Sequence, residues 1–218
     1  MTPGRSRVAH CAAIFRTAFT WYDSAAGVHR MKAIKPKTTL SRERWLEMAL
    51  TAMETHCVSK FTLDSLLQVM PVSKGSFYFH FKDRADFLTA IAKFWFRNST
   101  KTVIDELSEL PADVPPQRKL WELMCRIKDL NTGRWELLIR ALALEFPEVN
   151  EIVARCDQVR NQQVMAIFAE IGFEGKELEM RTFSFQTTYS LGTLLDLGMN
   201  QDDYDALLER QFDFFIRE

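Results

Sequence analysis

The chain of 218 residues is 47% hydrophobic and 26% charged, which places it among ordinary soluble proteins able to bury a sizeable core, with length for one small module plus a larger domain. Its net charge of −1 hides an asymmetry: residues 30–85 carry ten Lys and Arg against five Asp and Glu, +5, while residues 86–218 carry fifteen against twenty-three, −8. This excludes a general attraction for polyanions and confines it to one end.

Cys11, Cys57, Cys125 and Cys156 show no CxxC or other metal-ligand spacing. They fit reduced structural thiols in a cytoplasmic protein, with a redox-sensing thiol as the alternative. Residues 1–36 are basic and Ala-rich, and VAHCAAIF after MTPGRSR loosely resembles a signal peptide. His10 and Arg16 interrupt that run and no long apolar segment follows, so a cytoplasmic location is expected. MKAIKPK from Met31 looks like a natural start. The segment is expected to be a disordered extension, or else a mobile arm whose Arg5, Arg7 and Arg16 add phosphate contacts.

From Ser41 to His56 the pattern is a helix: Ser41 is a good cap, and Leu46, Ala49, Leu50 and Met53 recur on one face. Two shorter helices follow. Thr62 can cap the first, with Asp64 near its positive end and Leu63, Leu66, Leu67 and Met70 at helical spacing. Pro71 ends it near Met70. Ser73 offers a fresh cap for a second helix over residues 74–81, where Phe77 and Phe81 share a face. The opposite face is polar, with Lys74, Ser76, Tyr78 and His80, Lys82 just beyond, and Gly75 leaving the backbone open. An apolar seam behind short donors and a cation is what a helix in the DNA major groove needs.

VSKGSFYFHFKDRADFL closely resembles the recognition-helix signature of the TetR/AcrR family of one-component transcriptional regulators: Ser-Lys/Arg-Gly, an aromatic pair, His-Phe-Lys and an acidic start to the next helix. Two departures stand out. CVSK occupies the place of a common Gly before the second helix, and Met70-Pro71 that of a common Ala-Gly, so a slightly different turn is expected. The resemblance implies that Ser73, Lys74, Gly75 and Ser76 enter the groove as base-edge candidates, that Tyr78, His80 and Lys82 touch phosphates, and that Thr62 makes the backbone contact of the preceding helix. From the residues alone, Ser73 and Thr62 serve equally as caps and His80 as a packing residue.

Asp83 begins a long helix to about Leu110, with Asp86 placed to return the capping hydrogen bond and Phe87, Leu88, Ile91, Trp95, Val103, Ile104 and Leu107 along it. In the family such a helix links the two domains. PADVPP at 111–116 is a loop, and helices are expected over 117–130, 133–146, 148–171, 175–197 and 202–217. The whole is an all-α chain of about nine helices, the usual family count. It divides into an extension at 1–36, a three-helix helix-turn-helix DNA-binding module at 37–83, and a helical ligand-binding and dimerisation domain at 84–218.

By analogy with the family, Phe183, Thr187, Ser190, Leu191, Leu194, Leu207, Leu208, Phe212 and Phe215 form a homodimer interface; their stripes alone would equally suit an internal core. Phe94, Trp95, Trp121, Met124, Trp135, Gln186 and Tyr189 are candidates for a mostly apolar cavity for a small hydrophobic or amphipathic effector, though such residues more often form plain core. Arg140, within LLIRALAL, must pair with a carboxylate if buried. SKGS lacks the GxxxxGK frame, neither HExxH nor GxSxG occurs, and the histidines form no ligand cluster, so no enzyme, cofactor or metal is expected. The resemblance implies a repressor of a palindromic operator in double-stranded DNA; the alternative is a helical ligand-binding or adaptor protein whose turn motif no longer reads DNA.

Overall fold

The computed structural model describes residues 40–55, 63–130, 133–191 and 198–217. Thr62, Leu194, Cys11, Cys57 and the arginines of the extension lie outside them, as does the side chain of Leu191. The described chain is all-α. Its nine helices are α1 (Arg42–Thr55), α2 (Leu63–Val69), α3 (Lys74–His80), α4 (Arg84–Phe96, a π-helical stretch Arg97–Lys101, then Thr102–Ser108), α5 (Pro116–Leu130), α6 (Gly133–Glu145), α7 (Pro147–Ile171), α8 (Gly175–Leu191) and α9 (Gln201–Ile216).

Side-chain caps set the helix starts. Ser41 accepts from the Arg44 N–H at 3.2 Å, Ser73 from the Ser76 N–H at 3.1 Å and Asp83 from the Asp86 N–H at 2.9 Å. Asp86 returns a bond as the sequence suggests, but to the Lys82 N–H at 3.0 Å, one residue ahead of the cap. Pro116 and Pro147, read from sequence as loop and break, instead occupy first helical positions, where a missing N–H costs nothing. The turn between α2 and α3 is tight: the Val72 N–H reaches the Met70 carbonyl at 2.8 Å, a three-residue turn around Pro71, whose fixed φ suits it. At the far end of α7, Gly172 takes a φ of 118°, and the Phe173 N–H closes back on the Phe168 carbonyl at 3.1 Å.

Two apolar clusters hold the helices. In the first, Trp45 of α1 stands edge-on to Phe77, Phe81 and Phe87 at 5.6, 5.4 and 5.3 Å, pairs worth about 0.5–1.5 kcal/mol each beyond their burial. That cage seats α3. The same cluster runs on through Ile91 and Trp95 to Ile139, Leu142, Val149, Val153 and Cys156, so the small N-terminal module shares its core with α6 and the first half of α7. The second cluster joins Val103, Leu120, Met124, Phe168, Phe185, Leu208 and Phe215. Helix α7 passes through both and packs against α4, α5, α6 and α8.

Candidate nucleic-acid interface and cavity

The cage around Trp45 buries one side of α3 and leaves the other open. Ser73, Lys74, Gly75, Tyr78 and Lys82 are exposed, Tyr78 at 61%. A Cβ at Gly75 would meet nothing nearer than the Ser73 hydroxyl at 3.7 Å, so the protein itself does not require glycine there. Lys74 Nζ pairs with Asp64 of α2 at 2.8 Å, and the hydrogen bond with Asp64 raises the ammonium above the ordinary lysine range. Ser76 and His80 are tied inward. Trp45 Nε1 donates to the Ser76 hydroxyl at 3.2 Å, and His80 Nε2 meets the Leu40 carbonyl at 2.7 Å, while Arg42 Nε donates to the His80 carbonyl at 3.4 Å. For His80 the packing alternative is therefore occupied: it holds the start of α1 against α3. Phe79, absent from the sequence-based set, is 72% exposed beside Tyr78. Its place four residues after Gly75 in an amphipathic helix was the available signal.

A cavity of about 1080 Å³ lies farther along the molecule, beside the second cluster, whose Val103, Leu123, Val164 and Phe185 help line it. Ser99, Thr100, Val103 and Ile104 of α4, Leu123 of α5, Glu136 of α6, Arg160, Gln163 and Val164 of α7, Phe185, Gln186 and Tyr189 of α8, and Leu207 and Gln211 of α9 line it. Of the residues expected to form a pocket, Gln186 and Tyr189 are there. Phe94, Trp95 and Trp135 instead belong to the first core, and Trp121 and Met124 to the second. Those five large side chains are consumed by packing, whereas Val103, Leu123, Val164 and Phe185 of the second core also face the cavity. Arg140 lies outside the wall and is paired within the protein, with Glu136 at 2.8 Å and with Asp157 at 2.6 and 3.0 Å. The Asp157 bonds hold its guanidinium charged, above the ordinary arginine range, despite burial.

The polar end of the cavity is a network around Glu136, 5% exposed. Arg160 Nη1 reaches both Glu136 carboxylate oxygens at 3.0 Å, Nε donates to the Thr100 hydroxyl at 2.8 Å, Nη2 donates to the Ser99 hydroxyl at 3.2 Å, and the guanidinium sits 5.3 Å from the Trp95 ring centre. Ser99 and Thr100 are in the π-helical stretch of α4, where the wider turn brings both hydroxyls inward. Nothing in the local sequence signals that widening. Burial pushes the Tyr189 hydroxyl up, keeping it neutral, and it contacts Gln211 Oε1 at 3.2 Å.

The residues expected at a dimer face divide. Leu208 and Phe215 are buried inside the second core, so they are internal packing residues rather than a surface. Phe212 packs at 5.3 Å from Trp121, and Ser190 and Leu207 line the cavity, as does Thr187, which is also exposed. Phe183 is 66% exposed. Met180 beside it and Phe214 on α9 are exposed too, and neither was singled out from sequence. Arg181 joins the two helices by donating to the Phe214, Phe215 and Arg217 carbonyls at the end of α9.

Among the described residues no group of three or more His, Cys, Asp or Glu could hold a metal ion, and no helix is long and apolar enough to cross a membrane. No family model matches the sequence, and no curated protein matches it. Among solved structures, a transcriptional regulator from Rhodococcus sp. Rha1 is similar over 81% of this chain and 94% of its own, with a TM-score of 0.62 and 19% identity. That likeness agrees with the TetR-type resemblance of residues 72–88, and at this identity it establishes a shared fold: the chain is built as that regulator is built.

Proposed function

We propose that the chain is a TetR-like, sequence-specific DNA-binding transcriptional regulator, cytoplasmic and homodimeric, without catalytic activity, and a repressor released from a palindromic operator by a small hydrophobic or amphipathic effector. The observation that carries this reading is α3 itself: a short helix clamped from behind by Trp45, with Ser73, Lys74, Gly75 and Tyr78 all facing solvent. Ser73, Lys74 and Gly75 read base edges, and Tyr78 and Lys82 hold phosphates. Ser76 contributes a hydroxyl already steadied by Trp45. A helix this short reads few base pairs, so two copies on half-sites about 34 Å apart supply the specificity. Phe183 and Met180 on α8 and Phe214 on α9 are among the exposed apolar residues available to join them.

Effector control follows from α4. One helix starts directly after α3, at the Asp83 cap, and forms part of the cavity wall with Ser99, Thr100, Val103 and Ile104 before ending at Ser108. A ligand that favours one placement of that wall thereby favours one placement of α3. The Rhodococcus neighbour's description as a transcriptional regulator supports the same role. The test is selection from random double-stranded DNA under excess competitor. Enrichment of a palindrome, bound with steep salt dependence, is expected; failure to enrich any sequence overturns the reading in favour of the adaptor alternative.

A further inference from the structure

Phe79 stands opposite the seam that α3 buries. It follows Phe77 by two residues and precedes Phe81 by two, and at about 3.6 residues per turn that places it roughly 200° round the helix from Phe77. Phe77 and Phe81 are 2% and 1% exposed against 72% for Phe79, the most exposed aromatic side chain among the described residues. A singly exposed apolar residue is ordinary in itself. This one shares the open face with Lys74, Gly75, Tyr78 and Lys82, and its ring is held in place. The His80 ring stands edge-on to it at 4.9 Å between centres, and His80 is fixed in turn by the Leu40 carbonyl at 2.7 Å. Gly75 lies one turn earlier on the same face, where a Cβ would meet nothing nearer than the Ser73 hydroxyl at 3.7 Å. The bare backbone there gives a double helix clearance to come up against the ring.

A phenyl ring has no donor for a phosphate oxygen or a base edge. What the major groove offers an apolar side chain is the C5-methyl group of thymine, beside the O4 acceptor of the same base. Contact between methyl and ring removes both from water. We propose that Phe79 reads a thymine methyl in each half-site, a specificity-determining residue that works by apolar contact beside the hydrogen-bonding groups of Ser73 and Lys74. This rests on the reading of α3 as the recognition helix and adds a base to it: each half-site carries a thymine whose methyl is needed. Tyr78 and Phe79 divide the work, since the phenol of Tyr78 can donate to a phosphate and the ring of Phe79 cannot.

The test takes the palindrome enriched from random DNA and replaces each thymine in turn, in both half-sites, with deoxyuridine, which keeps the base pairing and lacks the methyl. The full chain, Phe79→Ala and Phe79→Leu are titrated against each fragment by fluorescence anisotropy. At one symmetric position the unaltered chain is expected to bind about threefold to fivefold more weakly for each methyl removed, and about tenfold or more when both are removed. Phe79→Ala is expected to bind the thymine fragment about as weakly as the unaltered chain binds the uracil one, and to ignore the replacement; Phe79→Leu keeps most of the preference. Both variants should melt with the unaltered chain, since the ring is exposed. An enriched palindrome whose affinity ignores every thymine methyl, or a methyl preference that survives intact in Phe79→Ala, would overturn the inference and leave the regulator reading standing. Failure to enrich any sequence would overturn both.

Discussion

Arg160 Nε donates to the Thr100 hydroxyl at 2.8 Å, so a cation on α7 grips the widened turn of α4. The grip matters because α4 begins beside α3 and its widened turn is part of the cavity wall. Through Arg160 the turn is also bound to Glu136, and through Glu136 to Arg140 and Asp157 on α6 and α7. The network is charge-balanced, with Arg140 and Arg160 against Glu136 and Asp157.

Breaking it from one side leaves a buried charge short of its partner. Arg160→Met is expected to lower unfolding stability by about 3 kcal/mol or more, and the double variant Arg160→Met with Glu136→Leu to recover much of that loss. Denaturant titration of the two single variants and the double closes the cycle. A loss under about 1 kcal/mol would mean that the pair behaves like an exposed one.

In the proposed DNA contact Lys74 must leave Asp64, since the two are joined at 2.8 Å in the free protein. Asp64→Asn frees the ammonium and removes a negative charge from the face proposed to meet phosphates. Binding is expected to tighten about twofold to fivefold at low salt, with the gain shrinking as salt screens it. Fluorescence anisotropy across a salt series measures this. Weaker binding would show that Asp64 instead positions Lys74 for its contact.

Cys156 lies in the first core with its thiol 3.2 Å from the Thr100 hydroxyl, and burial pushes that thiol up. Folding thus favours the neutral form. The stability this contributes is complete below the ordinary thiol value of about 8.5 and is lost as pH rises through the higher native one. Alkylation at pH of about 8.5, resolved by residue in a mass spectrometer, is expected to be at least about tenfold slower at Cys156 in the folded than in the unfolded chain. Equal rates would rule out a buried neutral thiol and revive the redox-sensing alternative.

The helices were legible because their punctuation is local. Ser41, Ser73 and Asp83 accept the N–H bonds expected of caps, and Gly172 ends α7 as a glycine after a long helix should. Pro116 and Pro147 misled by one residue because proline both breaks a helix and begins one. The seam and open face of α3 were also legible, since Phe77 and Phe81 fall four apart and Lys74, Gly75 and Tyr78 fall on the other side. The cavity was not. Its wall depends on Ser99 and Thr100 turning inward at a π-helical stretch, on Arg160 meeting a glutamate twenty-four positions away, and on which of many apolar stripes the core consumes. Those are tertiary facts, and Trp95 and Met124 satisfy the sequence criteria for a pocket as well as Tyr189 does.

The most direct measurement of the central claim is a titration of the intact chain and of Lys74→Ala against a fluorescent DNA fragment carrying the selected palindrome, with unlabelled random DNA in excess. Competitor-resistant binding that falls steeply with salt and is lost in Lys74→Ala is the predicted result. Binding that competitor abolishes, or that Lys74→Ala leaves intact, would contradict the assignment of α3 as the reading helix.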